Sequence, residues 1–391
     1  MEKQAVPKIK KILKRIRFWF LVSVTFSLIV IFLIGVGFFN IKTIHYERES
    51  SMQQKAEVVP PVPAIPPLDK ADYDRRMKML ANVKEKVPPP LSEAEIKNIA
   101  NKNPDTTAIK PKVQIIEPSL WPANATYPNA GAILPFNRIV AYYGNLYSKN
   151  MGVLGQYPED EMLARLMVEV KNWTDADPET PAIPALHYIV VVAQGSKGVD
   201  GKYRARMPDE EIDKVIEMAK KVNGLVFLDV QVGLSNVQDE VPLLEKYLKL
   251  PQVHLGIDPE FSMKTGGKPG TVIGTLDATD VNFVAEYLAK IVQENNLTPK
   301  ILIVHRFTQK MVTNYAQIKP LPEVQIVMDM DGWGEAARKI NTYKQFIYKE
   351  PIQFTGFKLF YKNDVLVPKS VIMGPDQLLK LTPRPIYIQY Q

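Results

Sequence analysis

Two runs decide the fold: Leu225-Val-Phe-Leu-Asp229-Val-Gln231 and, after a helix-like stretch, Val253-His-Leu-Gly-Ile-Asp258-Pro-Glu260. Each is a short, β-prone apolar run that turns acidic at its end. Side chains alternate along a strand, so Asp229 and Gln231 share a face, as do Asp258 and Glu260, about 6.6 Å apart at roughly 3.3 Å per residue. Similar apolar runs occupy 138–143, 188–194, 301–307, 324–331, 354–361 and 386–390. Helix-like segments at 160–173, 209–222, 237–250, 280–295 and 334–348 alternate with them.

Such alternation predicts a parallel sheet with crossover helices, and eight units within residues 136–391 match a (β/α)8 TIM-like barrel. An open doubly wound sheet is the alternative. The crossovers at 309–319 and 375–381 allow only short helices, and no helix follows the last strand. A segment at 92–101, with Ser92 as N-cap and Glu95 completing a capping box, is a candidate to cover that gap.

Turns from helix to strand are short (Asn223-Gly224, Pro251-Gln252, Leu297-Thr-Pro299), whereas those from strand to helix are long (145–159, 195–208, 262–279). The working face is therefore expected at the C-terminal ends of the strands. There the pattern delivers Tyr143, Gln194, Asp229, Gln231, Asp258, Glu260, His305, Asp329, Asp331, Trp333 and Lys358, with Gln389 behind them. A lone strand-end acid often only caps a loop. Converging acids with an imidazole and an ammonium suggest a site.

Cleaving a glycosidic bond takes one carboxylic acid to protonate the leaving oxygen and a second carboxylate as nucleophile or base. Glu260 is the candidate acid, since Phe261 and nearby Asp258 would raise its pKa. Asp258 and Asp229 complete the catalytic set, with Asp329 or Asp331 as other partners across the mouth. Tyr143, Gln194, Gln231, His305, Trp333 and Lys358 are expected to bind or orient substrate. His187 and His254 fall at strand starts and read as structural, and His45 is juxtamembrane. That leaves His305 alone at the mouth, so no metal centre and no cofactor is expected, although the acids offer an oxygen set for Mg2+ or Ca2+. Gly266-Gly-Lys-Pro-Gly270 lacks the spacing of a phosphate loop.

Outside the barrel the chain reads differently. Of its 391 residues, 1–17 carry seven Lys or Arg against one Glu, which accounts for most of the net charge of +7. Nucleic acid is thus not an expected partner. Residues 18–39 are twenty-two in a row without a charge, long enough for a bilayer span. The preceding cations place the N-terminus in the cytoplasm and the barrel outside, on a single-pass inner membrane protein; a cleaved signal peptide is the rival reading. Residues 40–135, with Pro60-Pro-Val-Pro-Ala-Ile-Pro-Pro67 and Pro88-Pro-Pro90, read as a stalk in which a charged helix at 68–87 is solvated. The absence of cysteine excludes disulfides and thiolate sites.

Tyr142-Tyr-Gly144, Leu228-Asp-Val-Gln231, Gly256-Ile-Asp-Pro-Glu260, Pro269-Gly-Thr-Val-Ile-Gly274, Asp280-Val-Asn282 and Val304-His-Arg-Phe307 together resemble a group of exported bacterial barrel proteins of unassigned activity. The resemblance covers residues 138–391 and implies a glycoside-hydrolase-like architecture. The chain is also similar to chitinase-type barrels in placing Glu260 two residues after Asp258. The first two acidic positions of that family's Asp-x-x-Asp-x-Asp-x-Glu repeat are, however, Val253 and Gly256. The resemblance therefore implies a fold and a site location more than a reaction. A polysaccharide of the cell envelope, reached from the membrane, is the expected ligand class, with membrane proteins as further candidate partners. Two readings stay beside hydrolysis: a non-catalytic glycan-binding or assembly module, and a metal-assisted phosphoester or acyl hydrolase.

Overall fold

The computed structural model describes residues 65–83 and 119–391. The basic tail, the apolar run 18–39, most of the Pro-rich segments and the helix expected at 92–101 lie outside the described residues. Among the described residues no helix is long and apolar enough to cross a membrane.

Eight parallel strands close into a barrel: β1 Arg138–Gly144, β2 Ala182–Ala193, β3 Leu225–Val230, β4 Val253–Ile257, β5 Lys300–Arg306, β6 Val324–Met330, β7 Phe354–Leu359 and β8 Tyr387–Tyr390. Each pairs with the next, and β1 also pairs with β8 in the register Ile139↔Tyr387, which removes both sheet edges. Nearly every strand residue is buried because both faces are covered. Even-numbered residues of β1, such as Val140 and Tyr142, pack outward against helices, while Ile139, Ala141 and Tyr143 point into the barrel.

The crossovers follow from their sequences. Helix α2, Glu159–Ala176, begins with three acidic residues in its first turn, where they complement the helix dipole, and buries Met162, Leu166, Val170 and Trp173 along one face. Helix α3 is Asp209–Lys220. The segment after β3 was expected as one helix over 237–250. It breaks into Val237–Glu240, a 3-10 turn Val241–Leu244 and Glu245–Leu248, because Pro242 has no N–H to donate. Helix α4, Ala278–Asn295, has an Asp277/Asp280 capping box and ends at left-handed Asn296. Helix α5, Ala336–Thr342, runs on as π turns through Tyr348. The fifth and seventh crossovers contain only short turns, as their lengths imply.

Two expectations need correction. Strand β2 starts at Ala182, six residues before the expected 188; Pro181 and Pro184 look like breakers, yet Pro184 sits in the β2 ladder opposite Val140. His187 is consequently mid-strand and inside the barrel. The helix expected to be solvated is α1, Lys70–Ala81, and it is not solvated. Asp69 caps it by accepting from the Asp72 amide, and Tyr73, Met77, Leu80 and Ala81 form a stripe at i, i+4, i+7 and i+8. That stripe joins Leu134, Ile139, Ile301, Phe354 and Tyr387 in the apolar cluster of the barrel interior. The Arg384 amide donates to the Leu80 carbonyl just ahead of β8, so this helix lies across the N-terminal end. Trp121 and Leu134, within the segment read as stalk, are buried as well.

Candidate functional site

The polar residues inside the C-terminal half of the barrel form two levels. The lower level is closed: His187 (β2), Asp229 (β3), His305 (β5), Asp329 (β6) and Gln389 (β8) are each 0% exposed. The upper level consists of Tyr143, Gln231, Asp258, Glu260, Asp331 and Lys358. These line a cavity of about 570 Å3 with Phe261, Phe307, Trp333, Arg338 and Phe360 on its walls.

Hydrogen bonds join the levels. The Tyr143 hydroxyl donates to Asp229 Oδ2 (2.9 Å), and Gln231 Nε2 donates to the Tyr143 hydroxyl and to Asp258 Oδ2, each at 3.2 Å. Gln231 Oε1 accepts from the Ala193 amide at 3.1 Å, which fixes which way its amide points. Lys358 Nζ stands 3.0 Å from Asp331 Oδ1 and 3.8 Å from the centre of the Tyr143 ring. His305 Nδ1 lies 3.3 Å from Asp331 Oδ2 and 3.4 Å from Asp329 Oδ2, and its Nε2 lies 3.4 Å from Asp229 Oδ1.

The environment separates the acids. Burial, reinforced by the Asp331 charge, pushes the Glu260 carboxyl up to about 7, with Lys358 opposing. Burial also drives Asp258 well above the usual carboxylate range, with the Glu260 and Asp229 charges adding to it. Burial would do the same to Asp331, but Lys358 and His305 override it and hold Asp331 below its ordinary value. At Asp229, likewise, burial is outweighed by His305 and His187, and the carboxyl is held far down. Burial lowers His187 to about 4. Burial would lower His305 too, yet the carboxylates of Asp229, Asp329 and Asp331 carry it well above the usual imidazole range.

Local folding explains how Asp258 and Glu260 meet. β4 ends at Ile257, and Pro259–Phe261 forms a 3-10 turn, so the two acids are not on one extended strand as expected. Asp258 Oδ1 accepts from the Glu260 amide at 3.0 Å, and one carboxylate oxygen each from Asp258, Glu260 and Asp331 lie within 4.8 Å of one another.

Of the residues expected at the site, Tyr143, Gln231, Asp258, Glu260, Asp331, Trp333 and Lys358 line the cavity. Asp229, taken from the sequence as a reacting acid, is sealed beneath it, as are His305 and Asp329. A strand-end residue one pleat deeper cannot reach the mouth. Gln194 is outside the cavity lining, in the stretch where β2 pairs antiparallel with Arg204–Arg206, its amide donating to the Tyr203 carbonyl. His187, read as structural at a strand start, stands instead 3.3 Å from Asp229 Oδ1. Phe307, Phe360 and Arg338 were not foreseen; position next to a strand-end polar residue would have singled out the first two. Tyr142 faces away from the cavity and packs on Tyr361 and Tyr390.

No protein-family model matches this chain, and no curated protein matches it. Among solved structures it is similar to the Bacillus subtilis mannanase BCman, at 12% identity over 66% of this chain and 81% of that chain, with a TM-score of 0.31.

Proposed function

We propose that this chain is a membrane-anchored, carbohydrate-active barrel that hydrolyses glycosidic bonds in a polysaccharide of the cell envelope. The observation that carries the reading is the Glu260–Asp331 pair. Both face the cavity, one is pushed up to about 7, and the other is kept ionised by Lys358 and His305. Carboxylates whose environments push their pKa values apart are what an acid and a nucleophile require.

Their closeness, with oxygens within 4.8 Å, suits a retaining reaction (carboxyl groups about 5–5.5 Å apart) better than an inverting one (roughly 6.5–9.5 Å). In that reaction Glu260 gives its proton to the leaving oxygen as Asp331 Oδ attacks the anomeric carbon. The resulting glycosyl ester is then cleaved by water, whose proton returns to Glu260 while Asp331 leaves as carboxylate. Asp258, hydrogen-bonded to Gln231, is suited to a sugar hydroxyl. Trp333, 48% exposed at the rim and faced by Arg338 at 5.3 Å, is suited to a ring face.

An open cavity with no aromatic side chain filling it favours hydrolysis over a purely binding module. The uncharged run 18–39 supports an anchor that confines the barrel to the membrane surface, with the glycan as its partner.

The test is turnover of a panel of soluble cell-wall and other polysaccharides by wild type, Glu260→Gln and Asp331→Asn. Each variant is expected to lose about 10²–10⁴-fold in kcat. Undiminished turnover in Glu260→Gln would sink the assignment. Turnover that depends on added Mg2+ or Ca2+ would replace it with metal-assisted hydrolysis, and binding without turnover would leave a glycan-binding module.

A further inference from the structure

We propose that His187, Asp229 and His305 form a divalent transition-metal site, of the zinc class, sealed beneath the floor of the cavity. The inference does not rest on the hydrolase reading, but the two share His305, whose Nε2 would face the ion while its Nδ1–H faces Asp331. His187 Nε2 and His305 Nε2 stand 3.3 and 3.4 Å from the same oxygen, Asp229 Oδ1. These contacts lack hydrogen-bond geometry, and all three atoms are buried without a partner. Leaving three such atoms unpaired in a closed interior is costly. One ion bound by all three removes that cost. Ligands about 2.0–2.1 Å from a tetrahedral ion are separated by roughly 3.3–3.4 Å, which is the spacing of both pairs that share Asp229 Oδ1.

The space for the ion is kept by a missing side chain. A Cβ built on Gly256 would fall 2.5 Å from both Asp229 Oδ1 and His187 Nε2, against the two atoms an ion must reach.

The surroundings complete the site in the way ligand histidines are usually supported. Behind His305, Nδ1 faces Asp329 Oδ2 and Asp331 Oδ2. Behind His187, Nδ1 is 2.5 Å from the Tyr387 hydroxyl and 3.0 Å from the Gln389 amide. Gln389 Oε1 has no partner; turning that amide over, an N/O choice, lets Oε1 accept from Nδ1–H and leaves Nε2 for metal. Asp229 Oδ2 holds the Tyr143 hydroxyl, so the ion would fix the floor of the cavity through one carboxylate.

The experiment uses the untagged full chain, purified in detergent without chelator and dialysed, for elemental analysis. Co2+ is then added to chelator-stripped protein and its visible absorption recorded. About one transition-metal ion per chain is expected, with a cobalt band of low-symmetry N/O coordination. Asp229→Asn and Gly256→Ala should each weaken cobalt binding at least tenfold, whereas Glu260→Gln should keep it; circular dichroism checks that each variant is folded. Wild type that neither retains an ion nor develops the cobalt band overturns the proposal without reference to any variant. So does binding that survives in folded Asp229→Asn, or that is lost in Glu260→Gln, which would place the ion among Asp258, Glu260 and Asp331.

Discussion

The two ends of the barrel bury polar side chains for different purposes. At the N-terminal end they are used on backbone. Lys300 Nζ donates to the carbonyls of Leu250 (2.6 Å) and Val253 (2.9 Å), Gln325 exchanges hydrogen bonds with both main-chain groups of Leu134, and His254 Nδ1 accepts from the Ile301 amide. Gln353 accepts from the Ile326 amide, and the helix Lys70–Ala81 covers this end with an apolar stripe. Only His254 Nε2 and Gln353 Nε2 are left over among these side chains. At the C-terminal end the polar groups face one another and the cavity, and His187, Asp229, His305 and Asp329 retain unpartnered atoms. One end is built for satisfaction, the other is held in readiness. Substitutions at the two ends should therefore fail differently.

The largest contrast is between chemistry and stability. Glu260→Gln and Asp331→Asn should abolish most turnover, and Glu260→Gln should leave the melting temperature within a few degrees of wild type, because it removes neither core packing nor an ion pair. Next in size, Leu80→Ala at the opposite end should destabilise the protein by about 2–5 kcal/mol, the usual cost of a cavity in a core. Folded Leu80→Ala protein should keep the kcat/KM of wild type. Urea unfolding alongside steady-state kinetics checks both halves; normal stability in this variant would mean that the helix merely rests on the barrel. A truncation that begins after Ala81 removes this cover and would confuse the two effects.

How much of this was legible in the sequence depends on depth. The eight strands are readable because a strand covered on both faces must be a continuous apolar run, and the working face is readable because its loops are long. Parity then places Tyr143, Gln231, Asp258, Lys358 and Asp331 on the face that lines the cavity. Parity does not distinguish Asp229 from Gln231, which share a face but lie one pleat apart, so it gives no sign that Asp229 is sealed beneath the cavity that Gln231 lines. His187 was hidden by Pro184, a residue that normally argues against a central strand. The 3-10 turn after Asp258 depends on tertiary context, and it converts an extended spacing into a cluster. The helix 70–81 carries its apolar stripe openly, but a stripe does not say what it faces.

A smaller effect distinguishes the ends by pH. The Glu260 carboxyl is at about 7 in the folded protein against 4.5 for a free side chain, so folding favours its protonated form. The stability it contributes is present in full below about pH 4.5 and is lost as pH rises through about 7. Wild type should thus lose melting temperature relative to Glu260→Gln over that interval, by on the order of a few °C. The same titration gives the alkaline limb of kcat/KM, since the acid must be protonated to act. A melting difference that stays flat from pH 4 to 8 would show that Glu260 titrates as an ordinary surface acid, and would remove it as the general acid.

The smallest expected effect tests whether the cavity wall belongs to the working end at all. Trp333 is half exposed at the rim and makes its described aromatic contact with Arg338, a pair that contributes little to folding. If it stacks on a sugar ring, Trp333→Ala should weaken binding by about 0.5–1.5 kcal/mol, a few-fold to roughly tenfold rise in KM, with little change in kcat. Such uniform binding is lost equally from ground and transition states, which is why KM should move and kcat should not. An unchanged KM for every substrate the protein turns over would place the sugar against Phe261 and Phe360 on the inner wall, and would make Trp333 an incidental exposed aromatic. A fall in kcat instead would tie the rim to the acid pair, because the ring would then be helping to set the substrate against Glu260 and Asp331.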